Sequence, residues 1–283
     1  MVLKLDRVRK IYPEFELDCS LELHRGCVTG LIGQNGAGKS TTFKAILDLI
    51  HIDGGNIQIF GKDVRRFETA DKENIGVVLA DAGFSGYLNV RQIISVMSRF
   101  YKKFDREDFV SKCKQWGLPM DKKLKEFSTG MYAKLKLLAA MSHGAQLLIL
   151  DEPTAGLDVV ARHELLDVLR EYMEDERNAV LISSHISGDL EHFCDDIYMI
   201  HNGRIQMHEE TDAILDSYGL IKISEREYET LEKKYLLKMK KEGFGYSCLT
   251  NEKQFYQENY PGLVIEKGNI DEVLTMMARG EDI

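Results

Sequence analysis

Five side chains suited to phosphoryl chemistry stand at three points of this chain. Lys39 and Ser40 lie in the stretch Gly33-Gln34-Asn35-Gly36-Ala37-Gly38-Lys39-Ser40-Thr41, Asp151 and Glu152 are adjacent, and His185 follows Ile182-Ser183-Ser184. The first stretch has the spacing G-x-x-x-x-G-K-[ST] of a phosphate-binding loop. Its glycines let consecutive backbone N–H groups wrap an anion where a Cβ would block close approach or positive φ. Lys39 brings a point charge for β- and γ-phosphates, and the Ser40 hydroxyl is a ligand for Mg²⁺. Asp151 can hold the same ion, directly or through water. Glu152, one residue on, points elsewhere and can orient or deprotonate an attacking water. One carboxylate for metal and one for water is what phosphoryl transfer to water needs, because catalysis there is mostly positioning and charge stabilisation. His185 can hydrogen-bond a γ-phosphate. Taken singly, these are a glycine turn, an ordinary strand-to-turn junction and a structural histidine. Together they argue for a nucleotide site.

Such a site needs elements that end at one place. Val28, Leu31 and Ile32 form an apolar run before the loop, and Phe43 to Leu49 a helix-forming run after it. The helix then turns its unpaired N–H groups and its dipole toward the anion. Leu147-Leu148-Ile149-Leu150 reads as a central parallel strand covered on both faces, with the two acids at its ligand-binding edge. Further strands are expected at 2–10, 15–23, 56–61, 75–79, 178–183, 196–201 and 204–207. Asn202-Gly203 is a hairpin turn between the last two. Helices are expected at 159–173 and near 186–194. This alternation predicts an α/β fold with a doubly wound, mainly parallel sheet. Residues 82–145 break the pattern with helical segments at 90–101, 107–116 and 131–141, a helical insertion. After Gly219 the chain becomes more polar. Ser224 to Lys241 reads as one amphipathic helix, with Leu231, Tyr235, Leu236 and Met239 on one side and lysines 233, 234, 238, 240 and 241 on its surface. That surface is a solvated face or, as the alternative, a docking face for a membrane or partner. The last forty residues read as a small mixed unit. The expected division is a core of 1–81 with 146–218, a helical subdomain 82–145, and a C-terminal extension 219–283 of unknown role.

With 46 acidic against 37 basic residues, the net charge of −9 argues against general affinity for nucleic acid or anionic membrane. Five scattered cysteines without a C-x-x-C pair point to free thiols in a reducing compartment. No apolar stretch approaches the roughly 18 residues of a membrane span, and Met-Val-Leu-Lys-Leu-Asp lacks the apolar core of a signal peptide. The expectation is a soluble, cytoplasmic protein with any membrane role held by a partner. The seven histidines other than His185 are expected at the surface.

Residues 1 to about 217 resemble the ATP-binding subunit of ABC transporters. Gly33 to Thr41 looks like that family's phosphate loop, and Leu147 to Pro153 like its second nucleotide motif with Glu152 as the catalytic glutamate. His185 looks like the switch histidine, and Tyr12 falls where the family stacks an aromatic on adenine. Ala155-Gly156-Leu157-Asp158 looks like the loop that crosses between two subunits. Phe127-Ser128-Thr129-Gly130-Met131 falls at the family signature, usually L-S-G-G-Q, and retains Ser128 and Gly130. Its Gly-Met form occurs in a branch dominated by exporters with separate membrane subunits. The glutamine that the family places after the strand at 75–79 is here Ala80, followed by Asp81. Ala80 cannot ligate anything, and Asp81 is the rival for that role.

The resemblance implies a head-to-tail dimer closing on two ATPs with Mg²⁺. Each ATP would lie between one subunit's loop and its partner's Ser128, Gly130 and Asp158. It implies a separate integral-membrane permease, location at the inner face of the cell membrane, membership of the exporter branch and no nucleic-acid partner. The alternatives are an ABC-type ATPase acting on a soluble or nucleic-acid partner, which the single phosphate loop disfavours, and a small-molecule phosphotransferase, which leaves 127–131 and 155–158 unexplained.

Overall fold

The computed structural model describes residues 1–186, 188, 190–243 and 245–283. Strands β1 (Leu3–Tyr12) and β2 (Phe15–Leu23) precede β3 (Val28–Ile32), and the loop after β3 enters helix α1 (Lys39–Ile46). β4 (Gly54–Ile59), β5 (Lys62–Asp63) and a short helix α2 (Thr69–Lys72) lead to β6 (Ile75–Val78). Helices α3 (Val90–Phe100), α4 (Arg106–Gln115) and α5 (Thr129–Met141) follow. The chain returns through β7 (Leu147–Asp151), α6 (Val159–Met173), β8 (Ala179–Ser184), β9 (Asp196–His201) and β10 (Arg204–Glu210). These strands form one sheet, in the order β5-β4-β1-β2-β10-β9-β3-β8-β7-β6.

The half β9-β3-β8-β7-β6 is parallel throughout. β3, β7 and β8 are buried along their whole length, which explains their unbroken apolar runs. Their carboxyl ends therefore open at one edge of the sheet. The other half is largely antiparallel, an arrangement the expected parallel sheet did not include. Only two residues, Pro13 and Glu14, join β1 to β2, and a link that short permits a hairpin but no parallel crossover. Asn202 and Gly203 both have positive φ, 46° and 76°, as a two-residue hairpin turn between β9 and β10 requires.

Helices α3 to α5 enclose a core of their own. Val90, Ile93, Ile94 and Met97, at helical spacing, meet Phe109 and Cys113 of α4 and Leu135 and Leu138 of α5. Asn89 and Gln92 form a reciprocal cap at the start of α3. One histidine expected at the surface is buried here. His143 lies between Ala139 O (3.2 Å) and Ile75 O (3.2 Å), stacked 4.0 Å from Tyr101, so it ties the end of α5 to β6.

Two local expectations are corrected. Where a regular helix was expected near 186–194, residues 190–193 form a turn, with Phe193 and Cys194 N–H donating to Leu190 O; Ser187 and Asp189 lie outside the described residues. After α7 (Thr211–Ser217) and β11 (Gly219–Ile223), the stretch 224–241 is no single helix. It divides into α8 (Glu225–Thr230) and β12 (Leu236–Glu242). β12 pairs with β13 (Gly245–Thr250), and cross-strand bonds there outweigh local helical spacing. Leu231, Tyr235, Leu236 and Met239 still share one apolar cluster, by tertiary packing. Helix α9 (Lys253–Asn259), β14 (Val264–Lys267), α10 (Ile270–Arg279) and β15 (Glu281–Asp282) complete a second, antiparallel sheet, β14-β11-β13-β12-β15. Ile270, Val273 and Met276 of α10 join the buried cluster that contains Leu190, Ile197 and Met199.

Candidate nucleotide site

The loop after β3 passes so close to β9 that a Cβ on Gly33 would lie 2.4 Å from Ile200 O. Gly38, at φ 117°, takes a left-handed conformation that an L side chain rarely adopts, and it caps α1. Thr42 Oγ1 donates to Gly38 O (3.0 Å) and holds that turn. Gln34, Asn35, Gly36 and Ser40 face solvent, Ala37 is buried and Thr41 is half-buried. Lys39 is only 5% exposed. Its ammonium donates to Gly33 O (2.6 Å) and Gln34 O (3.4 Å) and stands 3.2 Å from Glu152 Oε1.

Parallel pairing sets Ser183 of β8 opposite Asp151 of β7. The Ser183 hydroxyl donates to Asp151 Oδ1 (2.7 Å) and accepts from Glu152 N–H (3.0 Å), so one hydroxyl holds the Asp151 carboxylate and the Glu152 backbone. Glu152 has φ 51°, a left-handed conformation costing about 1–2 kcal/mol in a non-glycine residue. Glu152 Oε2 accepts from His185 Nδ1 (2.6 Å) and from His185 N–H (3.3 Å). The hydrogen on Nδ1 leaves Nε2 as an acceptor, so His185 donates to a phosphate oxygen only as imidazolium or after leaving Glu152. Lys39, Asp151, Glu152 and His185, distant in sequence, thus meet where β3, β7 and β8 end. Ser40 and Asp151 offer a hydroxyl and a carboxylate, a hard-oxygen set that suits Mg²⁺, which takes few protein ligands beside phosphates and water. Among the described residues, no group of three or more His, Cys, Asp and Glu side chains forms a metal site.

Ser128 and Asp158 are exposed N-caps of α5 and α6, accepting from Met131 N–H (3.2 Å) and Ala161 N–H (2.8 Å). The two helix starts are neighbours, since a Cβ on Gly130 would lie 3.2 Å from Ala161 Cβ. Tyr12, partly exposed at the end of β1, has Lys10 Nζ 5.4 Å from its ring centroid and Phe15 at 6.3 Å. Phe15 approaches the loop itself, its Cζ 3.0 Å from a Cβ built on Gly38. Asp81 pairs with Lys44 of α1 (2.9 Å), and the Lys44 ammonium holds the Asp81 carboxyl below the usual range.

Ser183 and Lys44 are the residues that sequence reasoning missed. Ser183 acts through strand register and Lys44 through a contact 37 positions away, neither of which leaves a local signal.

The model of the ABC transporter family matches residues 17–155. The lantibiotic transport ATP-binding protein SrtF of Streptococcus pyogenes is 30% identical over 220 residues, covering 75% of this chain and 92% of SrtF. The chain belongs to the ABC transporter ATP-binding family. YtrB of Bacillus subtilis, an ABC transporter ATP-binding protein, is 29% identical over 73% of this chain and 70% of its own length. A solved ATP-binding subunit of an ABC transporter superposes with a TM-score of 0.67 at 26% identity, covering 76% of this chain and 92% of that one. A dimeric ATP-binding cassette bound to ADP and Pi shares the fold, with a TM-score of 0.66 at 19% identity over 74% and 98%. This ABC-type ATPase binds and hydrolyses ATP. Among its described residues, no helix is long and apolar enough to cross a membrane.

Proposed function

We propose that this ATPase energises a separate integral-membrane permease, in the direction of export. The observation that carries the catalytic part is the linked set Lys39–Glu152–His185 beside Asp151, at the shared carboxyl edge of β3, β7 and β8. Lys39 leaves Glu152 for the phosphates as ATP enters, which frees the carboxylate to orient water. Ser40 and Asp151 are the groups that would hold Mg²⁺, whose chemistry is to neutralise phosphate charge. Tyr12 is assigned to the adenine. Ser128, Gly130 and Asp158 are assigned to the ATP of a second subunit in a head-to-tail dimer. Their position at two adjacent, exposed helix starts supports that role, because such starts favour anions.

The names of relatives support transport: two are named for bacitracin and lantibiotic transport. The Gly130-Met131 signature supports export. An apolar groove supports a partner. A groove of about 480 Å³ runs between the edge strand β6 and helices α3 and α5, with Val77, Val96 and Phe100 exposed along it. We assign it to the permease, which places the ATPase at the inner membrane face in the cytoplasm. The test is co-purification. Tagged Glu152→Gln chain, solubilised from membranes with ATP, should bring down a protein with several hydrophobic spans. Recovery of the chain alone, from the soluble fraction only, refutes the permease.

A further inference from the structure

Among the described residues, one cation in the wall of the groove is paired with no carboxylate. Lys136 of α5 is half-buried there. Its ammonium donates to Leu79 O at 3.5 Å and lies 5.5 Å from the Tyr132 ring centroid. Among the described residues, no carboxylate forms an ion pair with it. Around it the lining is mostly apolar: Val77, Leu79, Phe84, Val96 and Phe100, the last 72% exposed. The other ionisable groups of the groove are Lys72, Glu73, Tyr101 and His143. Glu73 makes no ion pair with Lys136, and His143 is engaged by two carbonyl oxygens. Burial already lowers the Lys136 pKa from its usual value.

A partner covering this groove removes the last water from the ammonium. An unpaired buried charge is costly, whereas one met by a carboxylate regains much of that loss as a charge-assisted hydrogen bond. A partner of purely apolar complementarity would gain at Val77, Val96 and Phe100 and lose at Lys136. We propose that the docking segment carries an Asp or Glu set among apolar residues, and that this carboxylate pairs with Lys136. The proposal rests on the reading of the groove as the permease's seat and adds the chemistry by which the seat selects its occupant. Drawing the ammonium toward that carboxylate also takes it from Leu79 O, the carbonyl just before Ala80 and the Lys44-bound Asp81.

The probe is a phage-displayed library of random peptides panned against the full chain. Peptides that bind wild type and are lost on Phe100→Glu report the groove. These should be enriched in one Asp or Glu flanked by apolar residues. On Lys136→Met their affinity should fall at least about tenfold, as for the loss of one partner of a buried charge pair. Panning against Lys136→Glu should select Lys or Arg at the same place, and Glu73→Gln should change nothing. Retained ATP binding by each variant shows that it is folded. Groove peptides without acidic preference, equal binding to Lys136→Met, or no groove-dependent peptides at all would overturn the proposal. If the charge rule holds while no membrane protein co-purifies with the chain, the permease reading fails and the groove chemistry stands. Co-purification of a membrane protein without the charge rule is the opposite outcome.

Discussion

Glu152 is held between Lys39 and His185, so replacing it separates binding from chemistry. Glu152→Gln should still bind ATP and hydrolyse it roughly 10²-fold or more slowly, the range for loss of a general base. ATP then traps a dimer, visible by size-exclusion chromatography. Hydrolysis at the wild-type rate would assign the water to another group, His185 first. Lys39→Ala should lose tight ATP binding, read by titration with a fluorescent ATP analogue. Unchanged affinity would remove Lys39 from the phosphate site. Ser183→Ala deletes the bond from the Glu152 N–H, worth about 1 kcal/mol, and the bond to the Asp151 carboxylate, worth about 1.5–3 kcal/mol. The expected result is a roughly tenfold lower kcat with little change in KM for ATP. An unchanged kcat would mean that backbone geometry alone aims the carboxylates.

At the scale of elements, two junctions decide how the helical region is joined to the sheet. The first is the loop after β6, tied to α1 by the exposed Asp81–Lys44 pair. Exposed pairs contribute little, so Asp81→Ala should lower Mg²⁺-dependent ATPase by less than about fivefold. A collapse of the rate would make Asp81 a metal ligand. Ala80 is exposed, and Ala80→Gln should not impair hydrolysis; a large loss would show that no longer side chain fits there. The second junction is His143 between α5 and β6. Burial lowers its pKa below the ordinary 6.5, against smaller opposing effects of its hydrogen bonds to Ile75 O and Ala139 O. A depressed folded value means that the unfolded chain binds the proton first, so stability present above pH 6.5 is lost as pH falls below it. Thermal unfolding between pH 7 and pH 5 should therefore destabilise wild type more than His143→Phe, which keeps the stack on Tyr101. Equal slopes would show that the imidazole contributes nothing to the pH dependence.

On the scale of the whole molecule, residues 219–283 have their own sheet and an apolar cluster of their own, and they share a second cluster with the ATPase core. Leu220, Leu249, Ile270, Val273 and Met276 lie in one apolar cluster with Leu190 and with Ile197 and Met199 of the ATPase sheet. Removing a buried isoleucine leaves both its transfer energy and a cavity uncompensated. Ile270→Ala should cost about 2–5 kcal/mol, and it should lower a single cooperative transition in calorimetry. Two separated transitions, with only one moved, would show that the C-terminal unit folds independently. The acidic net charge disfavours general nucleic-acid affinity at this scale too, while the groove beside β6 gathers exposed apolar surface on one face.

The sequence by itself determined the chemistry, because a phosphate loop depends on local facts. Glycine spacing, the Lys39-Ser40 pair and an apolar strand ending in Asp151-Glu152 are each written within a few residues. It also determined the α/β class and the helical insertion, through runs long enough for period and burial to show. Tertiary structure decided what depends on register and on distant partners. Ser183 holds the Asp151 carboxylate and the Glu152 backbone because β8 lies beside β7 in one particular alignment. His143 is buried because α5 crosses β6. Residues 224–241 carry a helical spacing that competes with strand pairing, and the strand prevails over 236–242 because β13 supplies backbone bonds that no local pattern reveals. Among the described residues no carboxylate pairs with Lys136, for the same reason: what surrounds a side chain is set by the packing of elements far apart in the chain.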